Sequence, residues 1–340
     1  MSVYLHNIVQ KVKLILHTRP FVWTSASPYR MCTDNNRLQC QSIHGEERAM
    51  RLCRFNDDRL GLVEGSTIYD VTSSTETLPS RRWPFPMGDA LVAHLPEVCR
   101  AAEKLKPHAS RFDLARVALR SPIANPGKVM AAPANYRLHV EIDAKDPAVH
   151  HNVHNKQLAG LERPVETLGL FLKATSSVVG PSPGINLNWQ ERRNDYEAEL
   201  VVVIGKAGKN IRAENATEHI AGYCVGLDMS VRGAQERSFR KSADSYTVLG
   251  PWLTTADEIA DPEQLTLWLT LNGTERQRSS TAAMTVGIRH LIEIASSAYT
   301  LYPGDILMTG TPEGVGAVSP GDIIVTGCDG LGEMTVPVGI

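Results

Sequence analysis

Two glutamates separated by a single residue, Glu197 and Glu199 in the segment Asp195-Tyr196-Glu197-Ala198-Glu199, precede the apolar run Leu200 to Ile204. On a strand, side chains at i and i+2 point the same way with a rise of roughly 3.3 Å per residue, which sets these two about 7 Å apart and within reach of one cation. An all-oxygen site of that kind suits Mg2+, Mn2+ or Ca2+ rather than a soft metal. The alternative is a solvated strand face with acidic decoration. A third acid, Asp228, follows a hydrophobic stretch and is succeeded by Arg232 and Gln235. On a helical turn these three would face one direction and gather a carboxylate, a guanidinium and an amide. Equally, Asp228 could cap a helix with Arg232 pairing back to it.

Two further side chains have the right types for proton transfer and charge stabilisation. His139 stands in Asn135-Tyr136-Arg137-Leu138-His139, and can be read as a general base or as a structural histidine. Lys241 precedes the Gly250-Pro251 pair, which reads as a turn, and can be read as a functional or a surface lysine. Between His139 and Phe171 lies a polar stretch with Asp146-Pro147 and the cluster His150, His151 and His154. That stretch is expected to be a mobile lid that excludes water from the site, with a second metal site as the alternative.

The elements that must hold these residues are mostly strands. Residues 1 to about 48 show neither helical nor strand periodicity and read as a loose extension, either a disordered tail or a start placed too early. From Met50 the pattern changes to short strands, Arg51 to Phe55, Leu60 to Glu64 and Thr67 to Val71, separated by Asn-Asp-Asp and Gly-Ser turns. Asp89 is placed to cap a helix reaching about Lys106, with Pro96 dividing or kinking it. From Lys128 onward strands dominate: Glu199 to Ile204, Leu265 to Leu271, Ile306 to Thr309 and Ile323 to Thr326. A helix interrupts them, where Ile288, Leu291, Ile292, Ala295 and Ala298 recur at helical spacing before Pro303-Gly304. The near-repeat of Pro303 to Gly310 and Pro320 to Gly327 reads either as two adjacent strands fed by the same turn or as a repeat with a functional reason.

Composition narrows the function classes. The chain has 340 residues, 42% hydrophobic and 21% charged, as expected of a globular protein. Thirty-five Lys and Arg against 37 Asp and Glu give a net charge of -2, which argues against a nucleic-acid partner because phosphate binding needs a concentrated basic surface. No run approaches the ~18 to 20 apolar residues of a membrane-spanning helix, and the short apolar core after Lys11 and Lys13 does not read as an export signal. Six cysteines without a C-x-x-C pair fit a reduced cytoplasm.

Taken in order, the blocks Asn135-Tyr136-x-x-His139, Phe171-Leu172-Lys173, Asp195-Tyr196-Glu197-x-Glu199-Leu200, Asp228-Met229-Ser230-x-Arg232-x-x-Gln235, Lys241-x-x-Asp244, Gly250-Pro251-Trp252 and Gly304-Asp305-x-x-x-Thr309-Gly310-Thr311-Pro312-x-Gly314 resemble the fumarylacetoacetate hydrolase superfamily. The resemblance spans about residues 128 to 338. It implies a β-rich α+β fold, a mixed roll or distorted barrel. The chain is then expected to divide into an extension (1–49), a small N-terminal β/α domain (50–120) and a catalytic domain (121–340). It also implies that Glu197, Glu199 and Asp228 hold one Mg2+ or Mn2+, to which a small 2-oxo or β-diketo acid chelates. Such chelation polarises the keto oxygen and stabilises an enolate. By the same resemblance His139 is the base, Lys241 stabilises developing negative charge, Arg232 and Gln235 hold the distal part of the substrate, Thr311 grips its carboxylate, and Tyr136 and Lys173 bind substrate as well. A homodimer is implied as well.

One position departs from the pattern. Many members of that family carry a glutamate three residues after the histidine, where this chain has Ile142. Asp143 is the better substitute, because i and i+4 share a helix face. The reaction expected is hydrolysis of a C–C bond in an acylpyruvate or related diketo acid. The same site would support keto-enol isomerisation or 2-oxo acid decarboxylation, and a protein that has lost its acid-base pair would only bind the metal and the acid.

Overall fold

The computed structural model describes residues 50–139 and 161–339. The extension before Met50, Asp143, and the stretch with His150, His151 and His154 expected to form a lid therefore lie outside the described residues.

Short apolar stretches build the N-terminal strands close to where the sequence places them, at Arg51–Phe55, Arg59–Glu64 and Thr67–Asp70. Asn56 and Asp58, at φ 48° and 62°, make the first turn, a conformation these short polar side chains tolerate. Asp89 accepts hydrogen bonds from the amides of Leu91 and Val92, and the helical stretch after it divides into Ala90–Ala93 and Leu95–Leu105, with Pro96 in the first turn of the second helix. No described helix is long and apolar enough to cross a membrane.

The largest sheet runs Arg111–Asp113, Thr67–Asp70, Arg59–Glu64, Arg51–Phe55, Thr247–Thr255, Ile220–Asp228, Ala198–Ile204, Ile306–Met308, Val129–Ala131 and Phe171–Lys173. Helices and two smaller sheets complete a β-rich α+β architecture. The two end strands of this path do not pair with each other, so the described strands form no closed barrel. The central strand Ala198–Ile204 is buried on both faces. Leu200, Val202 and Ile204 join one apolar core, shared with Ile288, Leu291 and Ile292 of the helix Ile288–Ala298, while Val201 and Val203 join another, shared with Leu95 and Val98.

Three chain segments leave this sheet at the same level and meet again in a three-stranded one. The strand Ala198–Ile204 is preceded, across Glu197, by Asn194–Tyr196; the strand Ile220–Asp228 is followed, across Met229, by Ser230–Val231; and Ile306–Met308 leads through a loop to Gly316–Ala317. In the smaller sheet Asn194–Tyr196 lies between the other two. The crossing point contains Glu197, Glu199, Asp228 and the loop with Thr311.

Three local expectations are corrected. Asp228 is neither on a helical turn nor a helix cap: it ends a strand that is paired on both sides, with Ala198–Ile204 and Thr247–Thr255, so it cannot share a helix face with Arg232 and Gln235. Gly250-Pro251 is no turn but lies inside the strand Thr247–Thr255, near a register shift against Ile220–Asp228, where Pro181 packs on the bare glycine. The near-repeat does use one turn twice, with Gly304 and Gly321 at φ 84° and 92°, yet its strands are not adjacent. Ile306–Met308 belongs to the large sheet, while Ile323–Cys328 pairs with Thr266–Leu271 and Gly332–Gly339 in a five-stranded sheet.

Candidate active site

Glu197 and Asp228 are brought together by backbone pairing. The Asp228 amide donates to the Glu197 carbonyl at 2.8 Å, and Ala198 stands opposite Leu227 in the antiparallel register. Glu199, two residues along, completes a cluster in which one carboxylate oxygen from each of the three residues lies within 4.8 Å of the others. All three are buried, Glu199 and Asp228 at 1% exposure, which removes the solvated-face reading. A buried set of three hard oxygen donors fits a divalent cation such as Mg2+ or Mn2+, and leaves coordination positions for other oxygens.

Cations of the chain surround the carboxylates. Lys241 Nζ donates to Glu197 Oε2 at 2.8 Å and to Asp228 Oδ2 at 2.7 Å. Lys173 Nζ donates to Asp228 Oδ1 and, at 2.7 Å, to the Tyr246 carbonyl. Arg232 Nε donates to Asp195 Oδ2 at 2.6 Å, and its Nη2 reaches Glu197 Oε1 at 3.4 Å. Arg193 Nε donates to the other Asp195 oxygen at 2.8 Å, and Ser230 Oγ donates to Glu197 Oε1 at 2.8 Å.

The three acids do not ionise alike. Burial pushes Glu197 up, but Lys241, Arg232 and His139 overcome it and hold its carboxyl below the usual range. Glu199 is pushed well above the usual range by burial and by the Asp228 carboxylate. Like charges packed in a dry site cannot all be kept ionised by two lysines, and a divalent cation removes that conflict. His139, at the end of the described segment, is pushed down to about 4 by burial, against the pull of Glu197, so its imidazole is neutral at pH 7.

The loop after Ile306–Met308 seals the cluster. The Gly310 amide donates to Glu199 Oε2 at 2.7 Å. Gly310 has φ 97°, and a Cβ there would lie 2.8 Å from Asn135 Cβ, so only glycine fits between the carboxylate and Asn135. Asn135 binds this region in turn, donating from Nδ2 to the carbonyls of Thr309 and Val286 at 2.9 Å each. Gln277 does the same from the other side. Its Oε1 accepts from the Ala198 amide at 3.0 Å, and its Nε2 donates at 2.9 Å to Thr311 Oγ1 and to the Pro312 carbonyl.

The residues anticipated from sequence gather around the cluster to different degrees. Glu197, Glu199, Asp228, Lys241 and Lys173 are in direct contact. Tyr136 is buried, and that burial, with the Glu199 carboxylate adding to it, raises its phenol well above its usual range; its hydroxyl has no hydrogen-bond partner among the described residues. Thr311 is buried in the sealing loop. Arg232 faces Asp195 and Glu197 rather than Asp228, and Gln235 is exposed, accepting from Arg192 Nη2 at 2.9 Å. Lys241 is a buried residue of the helix Arg237–Lys241, not a surface lysine. Sequence reasoning missed the clamps Asp195, Ser230, Asn135 and Gln277. Gln277 sits in Thr274–Ser280, a strand whose polar composition reads as exposed, and nothing in that segment marks it as buried.

Known proteins resemble this chain in sequence and in fold. The profile of the family described as Fumarylacetoacetate (FAA) hydrolase C-terminal matches residues 128–339. A maleylpyruvate hydrolase from Aquipseudomonas alcaligenes is 47% identical over 85% of this chain and 99% of its own. The mitochondrial oxaloacetate tautomerase fahd2 of Xenopus laevis is 33% identical over 85% of this chain and 90% of its own. Among solved structures, maleylpyruvate hydrolase from Sphingobium sp. SYK-6 in complex with manganese(II) and pyruvate superposes with a TM-score of 0.70 at 36% identity, covering 85% of this chain and 99% of that one.

Proposed function

We propose, from the premise that the chain belongs to the fumarylacetoacetate hydrolase family, that it is a divalent-metal-dependent hydrolase cleaving a C–C bond in an acylpyruvate. The observation that carries this reading is the convergence of Glu197, Glu199 and Asp228 within 4.8 Å beside Lys241, in a chain 47% identical to a maleylpyruvate hydrolase. A cation held by those three acids, Mg2+ or Mn2+, supplies the positive charge that polarises the 2-oxo group of the substrate.

The chain's own residues then have distinct tasks. Hydrolysis adds a water oxygen to the acyl carbonyl, breaks the bond to the neighbouring methylene, and returns a proton to the carbon that leaves as pyruvate. His139, neutral at pH 7, is assigned the proton that the attacking water gives up. Lys241 places an ammonium against the developing enolate, and Lys173 fixes Asp228. Thr311 Oγ1 accepts from Gln277, so its own proton points elsewhere and is available to the substrate carboxylate. The Tyr136 hydroxyl is a second donor for a ligand oxygen.

Incubating the Mn2+- or Mg2+-loaded protein with maleylpyruvate, other acylpyruvates, oxaloacetate and hydroxymuconate-type diacids tests the reading. Stoichiometric pyruvate from an acylpyruvate supports hydrolysis. Enol-keto exchange of oxaloacetate without bond cleavage would replace it with a tautomerase, the activity named for the Xenopus relative. Tight oxalate binding without any turnover would leave a binding protein. The same proposal includes a cytoplasmic homodimer, which sedimentation of the purified chain and fractionation of cells would test.

A further inference from the structure

Arg237 is unused by the chemistry described so far. It begins the helix Arg237–Lys241, four residues before Lys241, and residues at i and i+4 lie on one helix face with roughly 5 to 6 Å between their Cβ atoms. The structure bears this out at Phe171, whose ring takes both cations: Arg237 Cζ lies 5.5 Å and Lys241 Nζ 5.6 Å from its centroid. Lys241 continues into the carboxylates. Arg237 is half-buried, and among the described residues it makes no hydrogen bond or ion pair.

The neighbouring guanidiniums are committed. Arg232 binds Asp195 and Glu197, and Arg240 donates to the carbonyls of Gln235 and Val231. A desolvated guanidinium beside an aromatic ring presents a planar fork of donors whose natural complement is a carboxylate. It lies within the field of the carboxylate cluster: Glu197, then the adjacent Glu236 and Asp228, counter the lowering that burial imposes on it.

We propose that Arg237 determines specificity by taking the distal carboxylate of a dicarboxylic 2-oxo acid whose 2-oxo end lies at Glu197, Glu199, Asp228 and Lys241. This rests on the acylpyruvate reading and narrows it to diacids. Phe171 and the helix turn set the distance between the two anion positions, so a monoacid of the same length fills the site but leaves the guanidinium unmatched.

The test is calorimetric binding of 2-oxoadipate and 2-oxohexanoate, equal in chain length and differing in the distal carboxylate, to the Mn2+-loaded wild-type, Arg237→Gln and Arg237→Lys proteins. Wild type is expected to prefer the diacid by roughly 10- to 100-fold, the worth of a charge-assisted pair. Arg237→Gln erases that preference without weakening the monoacid, Arg237→Lys keeps part of it, and thermal unfolding verifies that both variants fold. Equal affinity of wild type for the two acids, failure to bind either, or equal weakening of both in Arg237→Gln would overturn the assignment. If the preference and its loss occur in a protein that releases no pyruvate from any acylpyruvate, the assignment stands and the hydrolase reading falls. Pyruvate release without any diacid preference is the converse.

Discussion

One ammonium, Lys241 Nζ, donates at 2.8 Å to Glu197 and at 2.7 Å to Asp228, joining two of the three acids that could hold a cation. Its charge is therefore fixed before substrate arrives, which is what makes a donor effective against charge that develops during reaction. Replacing it by methionine keeps the stem and removes the charge. Lys241→Met is expected to lower kcat on the order of 10²- to 10³-fold, while Mn2+ titration followed by electron paramagnetic resonance still shows binding. Loss of Mn2+ binding with kcat retained at saturating metal would reverse the assignment.

Glu199 yields a pH dependence with a definite sign. Its folded-state pKa is raised by burial and by Asp228, so without a cation it keeps its proton at pH values where an ordinary glutamate has lost it. That proton must leave before the oxygen can serve as a ligand. Mn2+ affinity is expected to fall about tenfold per pH unit below the metal-free pKa of Glu199 and to flatten above it. Calorimetry in buffers of different ionisation enthalpy should find close to one proton released per Mn2+ in the falling range, and none in Glu199→Gln. An affinity independent of pH, with no proton release, would contradict the account.

Lys173 has a structural consequence apart from activity. Its ammonium is buried against Asp228 and the Tyr246 carbonyl, and removing it leaves a buried carboxylate with Lys241 as its one remaining ammonium partner among the described residues. Lys173→Met is expected to cost roughly 3 to 5 kcal/mol of stability, read as a lowered Tm at pH 7. Less than about 1 kcal/mol, the value of an exposed pair, would show that Asp228 is otherwise neutralised.

Gln277 links the strand bearing Glu199 to the loop bearing Thr311, and the orientation of Thr311 depends on which of them donates. In Gln277→Glu the Ala198 amide keeps its acceptor, but Thr311 must turn its proton toward the new carboxylate. KM for an acylpyruvate is expected to rise roughly tenfold or more, the worth of a hydrogen bond to a charged group, with kcat and Mn2+ affinity little changed. A fall in kcat alone would place Gln277 in the chemical step instead.

Much of this was legible in the chain. The continuous apolar run Leu200 to Ile204 marks the strand that carries Glu199, and family resemblance groups the acids Glu197, Glu199 and Asp228, which the fold explains through the pairing of Ala198–Ile204 with Ile220–Asp228. What the sequence could not show is where strands change sheets. Glu197 and Met229 look like interior strand positions or helix starts, because a sheet switch leaves no local compositional mark. For the same reason Arg232 was sent toward Asp228, when the pairing of Asp195 with Ser230 delivers it to Asp195. Gln277 and Arg237 illustrate a second limit: each is a polar residue in a polar stretch, and its importance comes from partners far away in sequence.

The most direct test of the central claim is pyruvate release from an acylpyruvate by protein stripped of divalent ions with a chelator and then titrated with Mn2+. Activity is expected to vanish on stripping and to return in proportion to Mn2+ up to one ion per chain, and Glu199→Ala is expected to lose both the binding and the recovery. Undiminished turnover by the stripped protein, or full recovery in Glu199→Ala, would contradict the claim that Glu197, Glu199 and Asp228 hold the catalytic cation.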